Sequence, residues 1–303
     1  MNHTNKKTVK DTVRLRGIGL HSGKVVHLNI HPAEAGTGIQ FIYTSGSKGT
    51  IIPVHVDNVI DTGNAVTLGK DGVRIQTIEH LMAALHTLGI SDTRIEIDAM
   101  EVPIMDGSSL PFLEAILATG TEESKEKVEM IQITNPIWVV EGDKYLVLLP
   151  DDELKVTYSI DFAHPLLKGQ TLHTSLDNDS VLNEILPART FGFLKDVEYL
   201  QSRGLALGGS LDNAVVLTDD GYLNDSLRFD NECVRHKVLD LIGDLAVLGR
   251  PFRGHLIASK AGHGLDISLA RCILEQEKRN ELRSLNNRKS FTMDSAHFVE
   301  KNA

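Results

Sequence analysis

The chain has 303 residues, of which 41% are hydrophobic and 24% charged, and its formal net charge is −10 at pH 7. That composition fits a soluble globular enzyme of two ordinary domains rather than a disordered chain. The acid balance argues against a general affinity for nucleic acid or anionic lipid, while leaving room for a local basic pocket that binds phosphate.

Cys233 and Cys272 are too few for a disulfide framework and lack the spacing of a cysteine zinc site, so a reduced, cytoplasmic setting is expected. The opening MNHTNKKTVKDTVRLRG carries positive charge with no apolar run behind it, so no secretory signal is expected, and no later stretch is apolar enough to span a bilayer. In VVHLNIH, Val26, Leu28 and Ile30 alternate with His27, Asn29 and His31, the period of a half-buried strand. Such a strand holds His27 and His31 about 13 Å apart at ~3.3 Å per residue, too far to share a metal. The preceding GIGLHSGK lacks the spacing of a phosphate loop, and a hairpin turn at residues 21–23 accounts for it better. Strands are expected near Ile39–Tyr43 and Ile51–Val56.

QTIEHLMAALHTLG reads as a helix whose core stripe is Ile78, Leu81, Met82, Leu85 and Leu88, with Thr77 as N-cap and Gly89 as C-cap. Glu79 then lies in the first turn, where the helix dipole favours a carboxylate, and His80 lies off the stripe. A strand TRIEIDA, the segment VPIMDGSS and a short helix after Pro111 follow. The charged TEESKEKVE breaks the apolar pattern and reads as a linker, dividing the chain into domains at 1–124 and 125–280.

Beyond it, VEMIQIT, PIWVV, KYLVLLP and LKVTYSIDF read as strands. Helical pieces end near LPARTF and over FLKDVEYLQSRG, and GLALGGS leads to the strand AVVLT. RHKVLDLIGDL, capped by Asp230 or Asn231, puts Val234, Val238, Leu241, Leu245 and Leu248 on a core stripe. His236, Asp240 and Asp244 stack on a separate line at four-residue steps, with Lys237 beside them. Leu239, Ile242 and Val247 flank that line, so its charges sit in a partly enclosed place and need a partner, for which a metal is a candidate. A strand GHLIASK, the turn AGHG and a last helix, fraying into a polar tail at 281–303, complete the chain.

Aligning the two long helices by their Leu-Gly endings sets Leu81, Leu85, Leu88 and Gly89 on Leu241, Leu245, Leu248 and Gly249, and His80 on Asp240. Each half also runs strands first and this helix later, which suggests two copies of one strand–helix unit. Copies that face each other would bring His80 beside His236 and Asp240 at the interface. Two imidazoles and a carboxylate make an open, catalytic type of zinc site, beside which Glu79 is a candidate base. Spacing alone leaves plainer accounts standing: a local His–Asp hydrogen bond, an Asp244–Lys237 ion pair, and His263 as a turn residue. The same ligand set also serves non-haem Fe(II) oxygenases.

GIGLHSGK, TIEHLMAAL, VPIMDGSSLPF, RTFGF, RHKVLDLIGDL and SKAGH, in this order over nearly the whole chain, resemble the zinc-dependent UDP-3-O-acyl-N-acetylglucosamine deacetylase family. The resemblance implies an α+β fold of two similar two-layer sheet/helix sandwich domains with the active site at their interface. It implies one Zn2+ per chain on His80, His236 and Asp240, with Glu79 as general base. It makes His263 the catalytic acid, Asp244 the residue that keeps His263 charged, and Thr190 a hydroxyl that helps hold the oxyanion. Lys237 and Phe191 match contacts to the sugar, Phe162 a stack on uracil, and Lys260 a contact near the diphosphate, with Lys144 a further candidate.

Segments 51–68 and 194–218 match the family's insertions, the second forming an acyl passage that Leu205, Leu207, Ala214 and Val215 would line. Gly63, Asn64 and Ala65 depart from the bulkier residues of the first insertion. The implied reaction removes acetate from a UDP-linked acylated amino sugar, the committed step of lipid A synthesis in Gram-negative bacteria. A cytoplasmic monomer with at most transient membrane-surface contact and no nucleic-acid partner is expected.

Overall fold

Alternating apolar residues build two mixed sheets in the computed structural model, which describes residues 5–45, 49–176 and 178–299, the backbone alone at 178 and over 283–299. The first half comprises β1 (Asn5–Val9), β2 (Val13–Ile18), β3 (Val25–Pro32), β4 (Ile39–Tyr43), β5 (Thr50–Pro53), β6 (Val59–Asp61), β7 (Thr67–Lys70), β8 (Val73–Gln76), α1 (Glu79–Thr87), β9 (Thr93–Ile97), α2 (Leu110–Thr119) and β10 (Thr121–Lys127). The second comprises β11 (Ile137–Glu141), β12 (Lys144–Leu149), β13 (Leu154–Ile160), β14 (Gln170–Ser175), α3 (Asn178–Ser180) running into a π-turn at Val181–Ile185, β15 (Phe191–Phe193), α4 (Leu194–Ser202), β16 (Val215–Leu217), α5 (Glu232–Leu245), β17 (Gly254–Ser259) and α6 (His263–Val299).

The two main sheets share one topology. Their orders are β2-β3-β9-β4-β5 and β11-β12-β17-β13-β14. In each, the one parallel pairing joins the third and fourth strands, β9 with β4 and β17 with β13, and the rest are antiparallel. α1 and α5 occupy equivalent places, between the fourth strand of their sheet in chain order and the fifth, which lies at the sheet's centre, and each is stopped by a left-handed glycine, Gly89 (φ 69°) or Gly249 (φ 68°). Glycine adopts that conformation without a Cβ penalty, so the Leu-Gly endings are a repeated helix stop. The fold is thus α+β, a duplicated sheet-and-helix unit.

α1 and α5 pack against each other, and the line where they meet is the seam between the halves. Gly243 makes the approach possible: a Cβ there would stand 2.0 Å from the Glu79 carbonyl oxygen. Extra chain enters both halves at the same point, before the long helix. In the first half it is the small sheet β6-β7-β8, and in the second the parallel pair β15-β16 with α4 between them.

Several local expectations differ from what forms. The strand expected to reach Val56 stops at Pro53 and gives way to a tight turn at Val56–Asn58. Thr77 does not cap α1; the cap residue is Ile78, and Thr77 is buried with φ 59°. Asn231 is the cap residue of α5 without a side-chain cap bond, its Oδ1 accepting from Arg235 Nε instead. TEESKEKVE is not a loop, since Thr121–Lys127 forms β10 and pairs with β1. Its charges face solvent and meet complementary partners, Lys6 with Glu126 and Lys7 with Glu123, which is how a sheet with no apolar side is held. The division expected after residue 124 therefore falls inside β10. VEMIQIT forms no strand beyond a single bridge from Ile131 to Phe252, because its neighbour is the Pro251 turn rather than a ladder. The backbone of the expected tail continues α6 as far as Val299.

Candidate metal centre

His80 comes from the first turn of α1, and His236 and Asp240 lie one turn apart on α5; all are buried at the seam. Asp240 Oδ1 stands 3.7 Å from His80 Nε2 and 3.2 Å from His236 Nε2, and the two imidazole rings meet edge to face at 4.9 Å. His236 Nδ1 donates to the Ala188 carbonyl at 3.0 Å. A neutral His236 bonded in this way aims the lone pair of Nε2 at a carboxylate oxygen, two acceptors facing each other away from water. A cation between them resolves that conflict. The two separations, 3.2 and 3.7 Å, bracket those between ligands on a tetrahedral zinc, roughly 3.3–3.6 Å for bonds of about 2.0–2.2 Å. The donor set therefore fits a metal, and Ser109 steadies its first-half side by donating to the His80 carbonyl at 2.7 Å.

Glu79 is the first residue of α1, and one of its oxygens accepts the Val66 N–H at 3.1 Å. Burial pushes its carboxyl up from the ordinary value, against the opposing influence of His263 and His80. Burial acts in the same sense on Asp240, but its contacts with His236, Lys237 and His80 outweigh it and hold that carboxyl well below its usual range. Lys237 pairs with Asp240 Oδ2 rather than with Asp244, so the ion pair expected between Lys237 and Asp244 does not form. Burial opposes the charge of Lys237, and Asp240 overcomes that and raises its pKa. His263 opens α6 with Nδ1 2.6 Å from Asp244 Oδ2, so its other ring nitrogen is the one left for chemistry.

These groups open on a cavity of about 490 Å³ lined by Glu79, His80, Lys144, Phe162, Thr190, Phe191, His236, Lys237, Asp240, Lys260 and His263, alongside Leu20, His21, Asn64 and Thr77. Thr190 is fixed through its backbone, its N–H donating to the Gly107 carbonyl and its carbonyl accepting from Val215. Phe162 packs edge to face on Phe191 at 5.6 Å and against Phe193. Lys260 is held by Asp143 at 2.9 Å and Asp161 at 3.1 Å, so a diphosphate there would exchange with carboxylates. Asp244 sits behind His263 and does not line the cavity.

Of the residues matched to an acyl passage, Val215 is in the core and Leu205 and Ala214 are half-buried, whereas Leu207 is 52% exposed. Leu207 and Gly208 donate to the His21 and Leu20 carbonyls, which brings this loop against the β2–β3 turn at the cavity mouth. That turn is the GIGLHSGK segment. Its organising group, Glu101, was not singled out from the sequence: its carboxylate accepts the His21 N–H at 2.7 Å and the Ser22 N–H at 2.8 Å. A Cβ on Gly19 would stand 2.2 Å from the same carboxylate, so the glycine is needed there. Asp266, beside Asp244 and His263, was also missed.

Residues 6–275 match the family model described as UDP-3-O-acyl N-acetylglycosamine deacetylase, LpxC. The chain is 68% identical over 278 residues, 91% of this chain and 92% of the relative, to the UDP-3-O-acyl-N-acetylglucosamine deacetylase of Leptospira biflexa serovar Patoc. It is 45% identical over 279 residues to the deacetylase so named from Myxococcus xanthus, covering 92% of this chain and 89% of that one. With the so-named protein of Thermodesulfovibrio yellowstonii it shares 44% over 270 residues, 89% of this chain and 92% of the relative. The chain belongs to the UDP-3-O-acyl N-acetylglycosamine deacetylase family.

Proposed function

We propose that this enzyme removes the N-acetyl group of UDP-3-O-acyl-N-acetylglucosamine, leaving the free amine and acetate, and that it depends on one zinc ion held by His80, His236 and Asp240. The observation that carries the zinc reading is the pair of facing acceptors, His236 Nε2 and Asp240 Oδ1, 3.2 Å apart in a buried place. When bound, zinc polarises a carbonyl and lowers the pKa of water.

The chain's own residues supply the remaining chemistry. Glu79 accepts the proton of the attacking water, one of its oxygens being kept in place by Val66. Thr190 and the protonated His263 stabilise the oxyanion, and His263 then donates to the departing amine. Asp244 orients His263 through Nδ1. Lys237 and Phe191 hold the sugar, Phe162 offers a face to uracil, and Lys260 and Lys144 meet the diphosphate. Leu205, Leu207 and Ala214 guide the acyl chain; Val215, in the core, supports them from below.

Ferrous oxygenases use the same ligand set, but nothing among the relatives favours that chemistry and it is set aside. No described helix is long and apolar enough to cross a membrane. The reading makes the enzyme a cytoplasmic monomer that meets a bilayer only at its surface.

Mass spectrometry of purified protein incubated with a panel of UDP-linked 3-O-acyl amino sugars tests this. The expected result is loss of one acetyl group, abolished by a chelator and restored by zinc. Deacetylation that persists in protein shown to be free of metal would overturn the zinc assignment; no deacetylation of any panel member would overturn the substrate.

A further inference from the structure

Behind the candidate acid lies a carboxyl pair that the scheme above leaves unexplained. Asp266 follows His263 by one turn on α6, and it is fully buried, as is Asp244 on α5. Asp244 Oδ2 is taken by His263 Nδ1. Asp244 Oδ1 and both oxygens of Asp266 are buried without a hydrogen-bond partner when the two groups are read as carboxylates. A carboxylate oxygen of each and a ring nitrogen of His263 lie within 4.8 Å of one another. Two adjacent buried anions repel and are poorly solvated, whereas one proton between them removes the repulsion and supplies the missing donor.

We propose that Asp266 is a neutral carboxylic acid that donates its proton to Asp244 Oδ1, so that Asp244 stays ionised against His263 and fixes the ring through its Nδ1–H. Asp266 is then a positioning residue for the acid, acting through Asp244, and the inference rests on the reading of His263 as that acid.

The surroundings push both carboxyls toward the protonated form, which favours a proton held between them. Burial, and next the charge of Asp244, push Asp266 well above the usual carboxylate range. Burial and the Asp240 charge push Asp244 well above that range too, against the opposing Asp266 bond and Lys237. Contact separates the two: Asp244 Oδ2 meets His263 Nδ1 at 2.6 Å, whereas neither oxygen of Asp266 has a donor, so the shared proton is placed on Asp266. From β13, Tyr158 faces the pair; burial and then Asp266 push its phenol well above 10.0, and its hydroxyl donates to the Ala261 carbonyl at 2.9 Å. From α1, Glu79 also feels the pair, since Asp244 raises it further.

Infrared difference spectroscopy on the zinc-loaded protein, with 13C-labelled aspartate, tests the protonation directly. A neutral carboxyl C=O band is expected at neutral pH and is expected to vanish in Asp266→Asn. In kinetics, Asp266→Asn retains a donor to Asp244 and should keep kcat within about threefold, with the alkaline limb of the pH–rate profile unmoved. Asp266→Leu removes the donor and should lower kcat by at least about tenfold with little change in KM, moving that limb. Absence of the band overturns the proposal. So does an Asp266→Asn limb displaced as far as that of Asp266→Leu, because loss of charge, not of a donor, would then be what matters. His263→Ala with intact turnover would sink the acid reading instead, and would leave the carboxyl band of Asp266 in place.

Discussion

Glu79 enters the cavity from the first turn of α1 with one oxygen already committed to the Val66 N–H. Its other oxygen is the group free to take a proton. Glu79→Gln preserves the shape and retains an oxygen for Val66, so it should lower kcat by roughly 10²–10⁴-fold while elemental analysis still finds one zinc per chain. Undiminished turnover with zinc bound would remove Glu79 from the role of base. The residues that converge at the seam were readable because helix periodicity fixes which side chains share a face, and the repeated Leu-Gly endings set His80 opposite Asp240. Asp266 and Glu101 were not readable in that way. Asp266 lies next to Leu265 and Ile267 at a helix start, where an acid is the ordinary occupant. Glu101 acts on a turn eighty residues away in sequence, a contact that no local pattern encodes.

At the level of elements, the segment carrying Thr190 is held down by an ion pair. Arg189 places Nε 2.8 Å from Glu232 Oε1, and the Arg189 and Arg228 N–H groups donate to the same carboxylate at 2.9 and 2.8 Å. Burial alone would raise Glu232, but these bonds outweigh it and hold the carboxyl below its usual value. The folded protein thus binds that proton less readily than the unfolded chain, and the stabilisation is present at higher pH. Glu232→Gln should cost about 3 kcal/mol at neutral pH. Its disadvantage should be complete above the ordinary value of 4.5 and fade as pH falls through the lower folded value, read from urea unfolding at neutral and acid pH. A deficit that stays constant with pH would show that the carboxylate's charge contributes nothing.

The main strands and both long helices were legible as elements, since period and length suffice for them. β10 was not. Its alternation is of charge with charge, and only the partner strand β1 reveals it as a ladder.

At the scale of the molecule, the halves meet through backbone as well as side chains. Gly243 carries no Cβ because one would stand 2.0 Å from the Glu79 carbonyl oxygen. Alanine favours a helix over glycine by about 1 kcal/mol, so α5 considered alone would gain from Gly243→Ala. Here the clash is with main chain that no rotamer change relieves, and the net effect should be destabilising by about 1–3 kcal/mol, with a lowered Tm and a lowered kcat. An unchanged or raised Tm would show that α1 and α5 can part at little cost. The duplication itself was visible in the helix endings and in the strands-then-helix run of each half, but not in the strand order, which is a property of pairing and not of composition. The two sheets prove to share the same order and the same single parallel pairing.

A joint in which one half's peptide sits directly on the other's is not a clamshell. Hinged enzymes part their domains to admit a ligand and close them to react, but opening this seam would tear Glu79 and His80 from His236 and Asp240. Traffic therefore falls to the perimeter, to the loop of Leu207 and Gly208 leaning on the β2–β3 turn and to the β6–β7 connection that carries Asn64. The reaction centre is a fixed floor, and whatever adapts to different acyl chains must be in its walls.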